Sequence, residues 1–215
     1  MMQVVAFTFN PFQENTYLLY DDSKECIIID PGCYQAEEKT TIIDCVQKNE
    51  LKPVRLLNTH CHIDHVFGNR FISDTYALDL EIHEGELVVL NYVPQVAQMY
   101  GIPYPEPSPL PKKYLQEGEV IEFGNTQLKI LFTPGHSPAS ISFYCEASKF
   151  VIAGDVLFKN SIGRTDLPGG NFDTLLNSIK TQLFSLGDDV KVYSGHGEPT
   201  TIGVERKTNP FLVNS

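Results

Sequence analysis

The sequence predicts a mixed α/β (α+β) protein whose two halves repeat the same order of strands and helices, as in a pseudo-duplicated sandwich. Three observations lead there. Residues 2–9, 16–20 and 26–30 alternate or run apolar between the breaks Asn10-Pro11 and Asp21-Asp22-Ser23, the pattern of a β-meander. A helical segment over 36–50 follows, with Ile42, Ile43 and Val46 on one side and Glu37, Glu38, Lys39 and Lys48 on the other. Strands then return at 119–123, 126–132, 140–145 and 149–153, followed by a helical period over 172–186. No repeat is visible residue by residue.

The remaining elements follow in order. Asp30-Pro31-Gly32 ends the third strand in a turn. The apolar run Val54–Leu57, entered from Pro53, predicts a short buried strand over 54–58. A helix from Asp64 to about Tyr76, a strand near 79–82 and a short helix near 84–91 complete the first half. Between residues 93 and 114 fall Pro94, Pro103, Pro105, Pro107, Pro109 and Pro111, with Tyr92, Tyr100, Tyr104 and Tyr114 in or beside the stretch. Proline lacks a backbone donor, so no regular structure beyond one short turn is expected there. The stretch is either an ordered aromatic flap near a site or a plain surface excursion. In the second half Gly124-Asn125 marks a hairpin. Phe172, Leu175, Leu176, Ile179, Leu183 and Leu186 keep the 3.6 period and are expected to pack in the core. A last strand at 190–194 leads into Gly195-His196-Gly197, and a short helix starts near Thr201.

The whole chain bounds the function. Its 215 residues suit one domain, 1–215. Hydrophobic residues at 42% and charged residues at 20% are ordinary globular values, so a packed core is expected. A net charge of −11 argues against nucleic-acid or anionic-membrane partners, which need a positive footprint. No apolar stretch is long enough for a membrane span, and the N-terminus has no basic n-region or signal-type core. The five cysteines are odd in number and contain no Cys-x-x-Cys pair, which suggests reduced thiols and a cytoplasmic location. A monomer is the preferred state.

The chemistry concentrates in Thr59–His65, where His60, His62, Asp64 and His65 fall within six consecutive positions after the buried strand. On a chain that stays extended, His60, His62 and Asp64 share one face, with His65 at the start of the next helix. Cys61 points the other way and is read as packing. His136 follows the strand 126–132, Asp155 follows 149–153, and His196 follows 190–194, each beside or close to glycine. Five of the six histidines therefore sit past strand ends, where open sheets gather ligands. His83 is the exception, read as structural and hydrogen-bonded to a loop. These donors suffice for two divalent metal ions, each short of a full shell. One division gives His60, His62 and His136 to the first ion and Asp64, His65 and His196 to the second, with Asp155 bridging. Such open shells suit a metal-bridging hydroxide and catalysis, whereas structural zinc sites are closed and usually cysteine-rich. Zinc is the first expectation; iron and manganese also suit imidazole and carboxylate.

The order His60-x-His62-x-Asp64-His65, then His136, Asp155 and His196, resembles the metallo-β-lactamase superfamily over nearly the whole chain. The resemblance implies a four-layer αββα sandwich with the metals at one edge. Within the superfamily the chain is similar to the hydroxyacylglutathione hydrolases (glyoxalase II), especially their short relatives. Thr133-Pro-Gly-His-Ser-Pro138, Gly154-Asp-Val-Leu-Phe158, Ser161-Ile-Gly-Arg-Thr-Asp166, Gly195-His-Gly-Glu-Pro-Thr-Thr201 and Glu205–Leu212 support this. Gly163–Asp166 is shared with a smaller group that includes persulfide dioxygenases. The two-domain enzymes add a C-terminal helical domain for glutathione. This chain ends 19 residues after His196 and is expected to do without it.

The resemblance places a basic substrate contact at Arg164, and Lys159 adds positive charge to the same loop. Both are expected to meet a small anionic substrate; the alternative for Arg164 is a salt bridge with Asp155 or Asp166. Asp166 stands where the family has an aromatic partner. The leading expectation is a metal-dependent thioester hydrolase acting on substrates such as S-lactoylglutathione, in which Asp64 is both a ligand and a group able to orient or accept the hydroxide proton. The alternatives are a mononuclear-iron persulfide dioxygenase, a hydrolase of another ester or lactone, and a non-catalytic binding module. No Gly-x-Ser-x-Gly elbow is present to support a serine mechanism.

Overall fold

The computed structural model describes residues 2–104 and 106–213, so Pro105 of the proline-rich stretch lies outside it. The chain divides into two units, one running to Leu115 and including 122–127, the other formed by 116–121 and the chain from Leu128 onward.

The first unit is built on a six-stranded sheet: β1 (Gln3–Phe9), β2 (Glu14–Tyr20), β3 (Glu25–Ile29), β4 (Lys52–Leu57), β5 (Leu80–Ile82) and β6 (Lys113–Tyr114), in that spatial order. The meander β1–β3 is antiparallel, in register Val5↔Leu18 and Leu18↔Ile28, and β3 to β6 run parallel. Leu18, Ile28, Leu56 and Leu80 face one side, where Ile42 and Val46 of α1 (Ala36–Lys48) join the same core. Leu19, Ile27, Ile29 and Leu57 point the other way and are equally buried. A sheet buried on both faces reads as a continuous apolar run, as Cys26–Ile29 does.

Two expectations change here. The helix expected over 64–76 is two pieces, α2 (Ile63–Val66) and α3 (Asn69–Tyr76). The break lies at Phe67-Gly68, where the Gly68 amide donates to the Pro31 carbonyl at 2.7 Å. The chain approaches so closely that a Cβ on Gly68 would lie 2.4 Å from the Cys33 sulfur. The stretch expected to lack regular structure begins inside a 14-residue helix, α4 (Leu87–Tyr100), which follows a 3₁₀ turn at Glu84–Glu86 and contains Pro94. Leu90, Val93 and Ala97 pin that helix to the core, while Pro94 sits on its exposed side, where a carbonyl left without its donor can bond water. The loop beyond is tied down: Tyr34 donates to the Pro103 carbonyl at 2.9 Å, and Asn69 Nδ2 donates to Ser108 Oγ at 3.2 Å.

The second unit carries the other six-stranded sheet. Its strands are β7 (Val120–Phe123), β8 (Thr126–Phe132), β9 (Ile141–Cys145), β10 (Phe150–Gly154), β13 (Lys191–Ser194) and β14 (Thr200–Thr201), in the order β14-β13-β10-β9-β8-β7. A two-stranded ribbon, β11 (Leu157–Phe158) and β12 (Ser161–Ile162), follows β10. Only the β10–β13 pairing is parallel among the registers described, and it slips between Ile152 and Gly154, just before Asp155. Val151, Ala153 and Val192 pack with Leu175, Ile179 and Leu183.

The helix expected over 172–186 is α5 (Phe172–Ser178) followed by a π-helical turn at Ile179–Leu183. Phe172 is 46% exposed rather than part of the core, because Asn171 caps the helix there and leaves Phe172 on the outward first turn. The closing helix is α6 (Ile202–Thr208), capped by Thr201.

Both sheets thus mix parallel and antiparallel strands and both carry helices, as the αββα expectation requires. Among the described residues no helix is long and apolar enough to cross a membrane.

The tip of the β7–β8 hairpin belongs to the first unit and is held by Asp21. Its carboxylate accepts from Asn125 N at 2.7 Å, Thr126 Oγ1 at 2.8 Å and Ser23 N at 2.9 Å. Burial alone would raise this carboxyl, but the hydrogen bonds from Ser23, Thr126 and Asn125 outweigh it and hold it down at about 2. A depressed folded pKa stabilises above the unfolded value near 4 and is lost as pH falls toward 2. Asp21→Asn is expected to lose about 1–2 kcal/mol at neutral pH and to flatten the acid limb of the stability curve between about pH 4 and pH 2. Urea titrations at pH 7, 4 and 2.5 check this; an equal loss at all three would refute it.

Candidate metal centre

In the first unit, β4 delivers Asn58, Thr59 and His60 from its buried C-terminal end; Thr59 and His60 are each 1% exposed. The chain does not stay extended through Asp64 as expected. It turns at His62, which caps α2, so Asp64 and His65 arrive on a single helical turn closed by the His65 amide on the His62 carbonyl at 3.1 Å. Asp64 Oδ2 lies 3.7 Å from His65 Nε2. The His60 and His62 rings meet edge to face at 4.9 Å. Asn10 holds the turn from outside, donating to the carbonyls of Asp64 at 2.9 Å and Gly32 at 3.0 Å. Gly32 is required there, since a Cβ would fall 2.0 Å from Glu14 Oε2 and 2.6 Å from the Asp64 carbonyl.

Beneath the turn lies Asp30, 1% exposed and with φ at +50°. Its Oδ1 accepts from the Thr59 amide at 2.7 Å and Asn58 Nδ2 at 3.2 Å. Its Oδ2 accepts from Thr59 Oγ1 at 2.6 Å and lies 3.2 Å from His65 Nδ1. Sequence reasoning took this residue for part of a turn and missed its role. Glu14 is fully buried nearby, and burial holds its carboxyl well above the usual range against the pull of His65.

In the second unit, His136, Asp155 and His196 are brought together. The same oxygen, Asp155 Oδ2, lies 3.4 Å from His136 Nε2 and 3.4 Å from His196 Nε2. Gly195 N donates to the Gly154 carbonyl at 2.8 Å, tying the His196 loop to the end of β10. Gly163 packs against the Asp155 backbone so tightly that a Cβ would fall 2.0 Å from its carbonyl oxygen.

The donor chemistry fits divalent metal ions. His136 Nδ1 lies 2.8 Å from the Arg164 carbonyl, which can only accept, so the proton is on Nδ1 and the lone pair on Nε2. The Asp30 carboxylate fixes the same tautomer on His65. Thr59 Oγ1 gives its proton to Asp30 and so accepts from His60 Nδ1 at 3.0 Å, which again leaves the lone pair on Nε2. Three imidazoles are thus set to present Nε2. Donors at about 2.0–2.2 Å around a tetrahedral ion stand about 3.3–3.6 Å apart, which matches the 3.4 Å spacing around Asp155.

Arg164 and Lys159 both already hold an acidic partner. Arg164 makes a two-pronged contact with Asp166 at 2.7 and 2.7 Å, which holds the Asp166 carboxyl down at about 2. Lys159 Nζ lies 2.6 Å from Glu198. The salt bridge foreseen as the alternative for Arg164 is therefore present, with Asp166. His83 accepts from the Gly85 amide at 3.1 Å and caps the 3₁₀ turn, the structural role expected of it. Cys61 is fully buried, as packing requires.

Two clusters of imidazole and carboxylate, without a cysteine ligand, define a metal-dependent hydrolase with a binuclear type of donor set. Residues 9–196 match the metallo-β-lactamase superfamily, and the chain belongs to it. Its fold is the αββα sandwich of that superfamily. It is 36% identical over 212 residues to the hydroxyacylglutathione hydrolase GloC of Haemophilus influenzae, covering 98% of each chain. Among solved structures it resembles the BLEG-1 B3 metallo-β-lactamase, with TM-score 0.88, 35% identity and 99% of each chain covered. It also resembles TTHA1623 in a di-iron-bound form, with TM-score 0.86, 37% identity, and 97% of this chain and 100% of that one covered.

Proposed function

We propose that the chain hydrolyses thioesters of the S-lactoylglutathione type, using two divalent ions. The end-to-end similarity to the GloC hydroxyacylglutathione hydrolase is the observation that carries this reading. His60, His62 and His136 would hold one ion, Asp64, His65 and His196 the other, and Asp155 would serve both. Bound there, the ions supply Lewis acidity and a water of lowered pKa. Zinc suits the donors, and iron suits them equally well, as the di-iron form of TTHA1623 illustrates.

The side chains then have defined tasks. Asp64, 9% exposed, can orient a water and take up its proton. Arg164 and Lys159 meet the anionic part of the substrate. Their present partners lie at the surface, and exposed ion pairs hold each other by only about 0–1 kcal/mol, so a substrate carboxylate can take their place.

The test is thioester hydrolysis by metal-loaded protein, followed in the ultraviolet with S-lactoylglutathione. Turnover is expected to vanish with a chelator and to return with zinc, iron or manganese. Folded, metal-loaded protein that leaves this substrate intact would overturn the proposal. Oxygen uptake with glutathione persulfide would then point to the dioxygenase alternative.

A further inference from the structure

We propose that Glu86 is a positioning residue for the metal-binding turn, fixing the peptide between His60 and Cys61 and so the aim of the His60 and His62 rings. Glu86 closes the 3₁₀ turn after β5 and stands at the N-terminus of the 14-residue α4. It is 0% exposed. A buried carboxylate needs compensation, and the N-terminal end of a helix dipole supplies part of it. The Cys61 amide supplies a further part, donating to Glu86 Oε2 at 2.9 Å.

The location of that amide gives the contact its consequence. Cys61 lies between His60 and His62, and its own side chain is fully buried. Two residues earlier the Thr59 amide is taken by Asp30 at 2.7 Å. The amides of residues 59 and 61, one residue before and one after His60, are thus each anchored by a different buried carboxylate. The peptide on the C-terminal side of the His60 Cα cannot rotate without breaking the bond to Glu86. The perpendicular arrangement of the His60 and His62 rings, at 4.9 Å, depends on the Cys61 peptide that joins them. Groups that orient metal ligands in this way change metal affinity by about 10–100-fold when they are removed.

The two roles a glutamate can play, acceptor at a fixed reach and source of charge, separate in two variants of the full chain. Glu86→Gln keeps an oxygen at the same reach and loses the charge. Glu86→Asp keeps the charge and falls one methylene short. Metal-free protein is titrated with cobalt, read by visible absorption and calorimetry, and the thermal midpoint of each metal-free variant is measured alongside.

The expected result is that Glu86→Asp binds cobalt about 10-fold or more weakly with an altered absorption envelope. Glu86→Gln is expected to stay within about threefold of the parent. Both metal-free midpoints are expected to match the parent within a few degrees. Glu86→Asp binding as tightly as the parent overturns the proposal, as does Glu86→Gln as weak as Glu86→Asp. A Glu86→Asp chain that does not fold also overturns it, since Glu86 would then be a residue of the fold rather than of the turn.

Discussion

Asp155→Ala is expected to lower turnover by about 10³-fold or more and to leave the purified protein with no more than one metal ion per chain. One oxygen of this carboxylate stands 3.4 Å from the Nε2 atoms of both His136 and His196. The position is also prepared by the backbone. The β10–β13 register slips between Ile152 and Gly154, Gly154 takes a positive φ of 54°, and the next residue is turned out of the ladder. Gly163 then closes against the Asp155 carbonyl. Alanine fits this backbone, and Asp155 is 8% exposed, so the fold should persist while the ligand is lost. Steady-state hydrolysis and elemental analysis of dialysed protein check both halves. Asp155→Asn, which keeps one neutral oxygen, should fall between the two. Activity of Asp155→Ala within tenfold of the parent would remove Asp155 from the centre.

What was legible in the sequence was the set of side chains that leave a mark in spacing. His60, His62 and His65 are unusual neighbours, and His136, Asp155 and His196 each follow an apolar strand, so alternation and turn residues were enough to find them. The helices failed where spacing misleads. Pro94 reads as a breaker, yet Leu90, Val93 and Ala97 hold its helix together because the proline falls on the outer face. The chain after His62 was read as extended, while Asn10, Gly32 and Gly68 wind it into a short helix through contacts with residues distant in sequence.

The residues behind the proposed ligands were not legible, for a physical reason. Asp30 sits in Asp-Pro-Gly, the composition of an ordinary turn, and Glu86 sits in a polar run with Glu84, the composition of a surface. Their burial, at 1% and 0%, comes from tertiary packing that no local pattern records. A sharper rule does emerge from Asp30. An acid directly after a buried parallel strand, Cys26–Ile29 here, stands at the same sheet edge as the residues past its neighbour, and β3 pairs with β4. Asp30 and Thr59 meet because those two strands end together.

Asp30→Ala should therefore destabilise the first unit and loosen both histidines that it orients. Removing the carboxylate strands the Thr59 amide and hydroxyl, an Asn58 amide proton and His65 Nδ1–H, all on buried residues. Loss of one partner from a buried polar network of this kind costs about 3–5 kcal/mol. Alanine must also take up φ of +50°, which adds about 1–2 kcal/mol of backbone strain.

Asp30→Asn separates the two effects. Asparagine tolerates that backbone and keeps one acceptor, so it should recover much of the stability. Its amide nitrogen, however, replaces one of the two oxygens. If the oxygen stays with the Thr59 amide, the NH₂ faces His65 Nδ1 and drives the imidazole proton to Nε2, the atom that should bind metal. The expected outcome is a folded Asp30→Asn chain whose metal affinity has fallen by about 10–100-fold, against an Asp30→Ala chain that has lost both stability and metal. Urea unfolding with and without chelator, together with cobalt titration, reads the two quantities separately. Chelation should lower the midpoint of the parent and should scarcely move that of Asp30→Asn. Parent-like metal affinity in Asp30→Asn would show that His65 needs no fixed tautomer and would detach Asp30 from the metal chemistry.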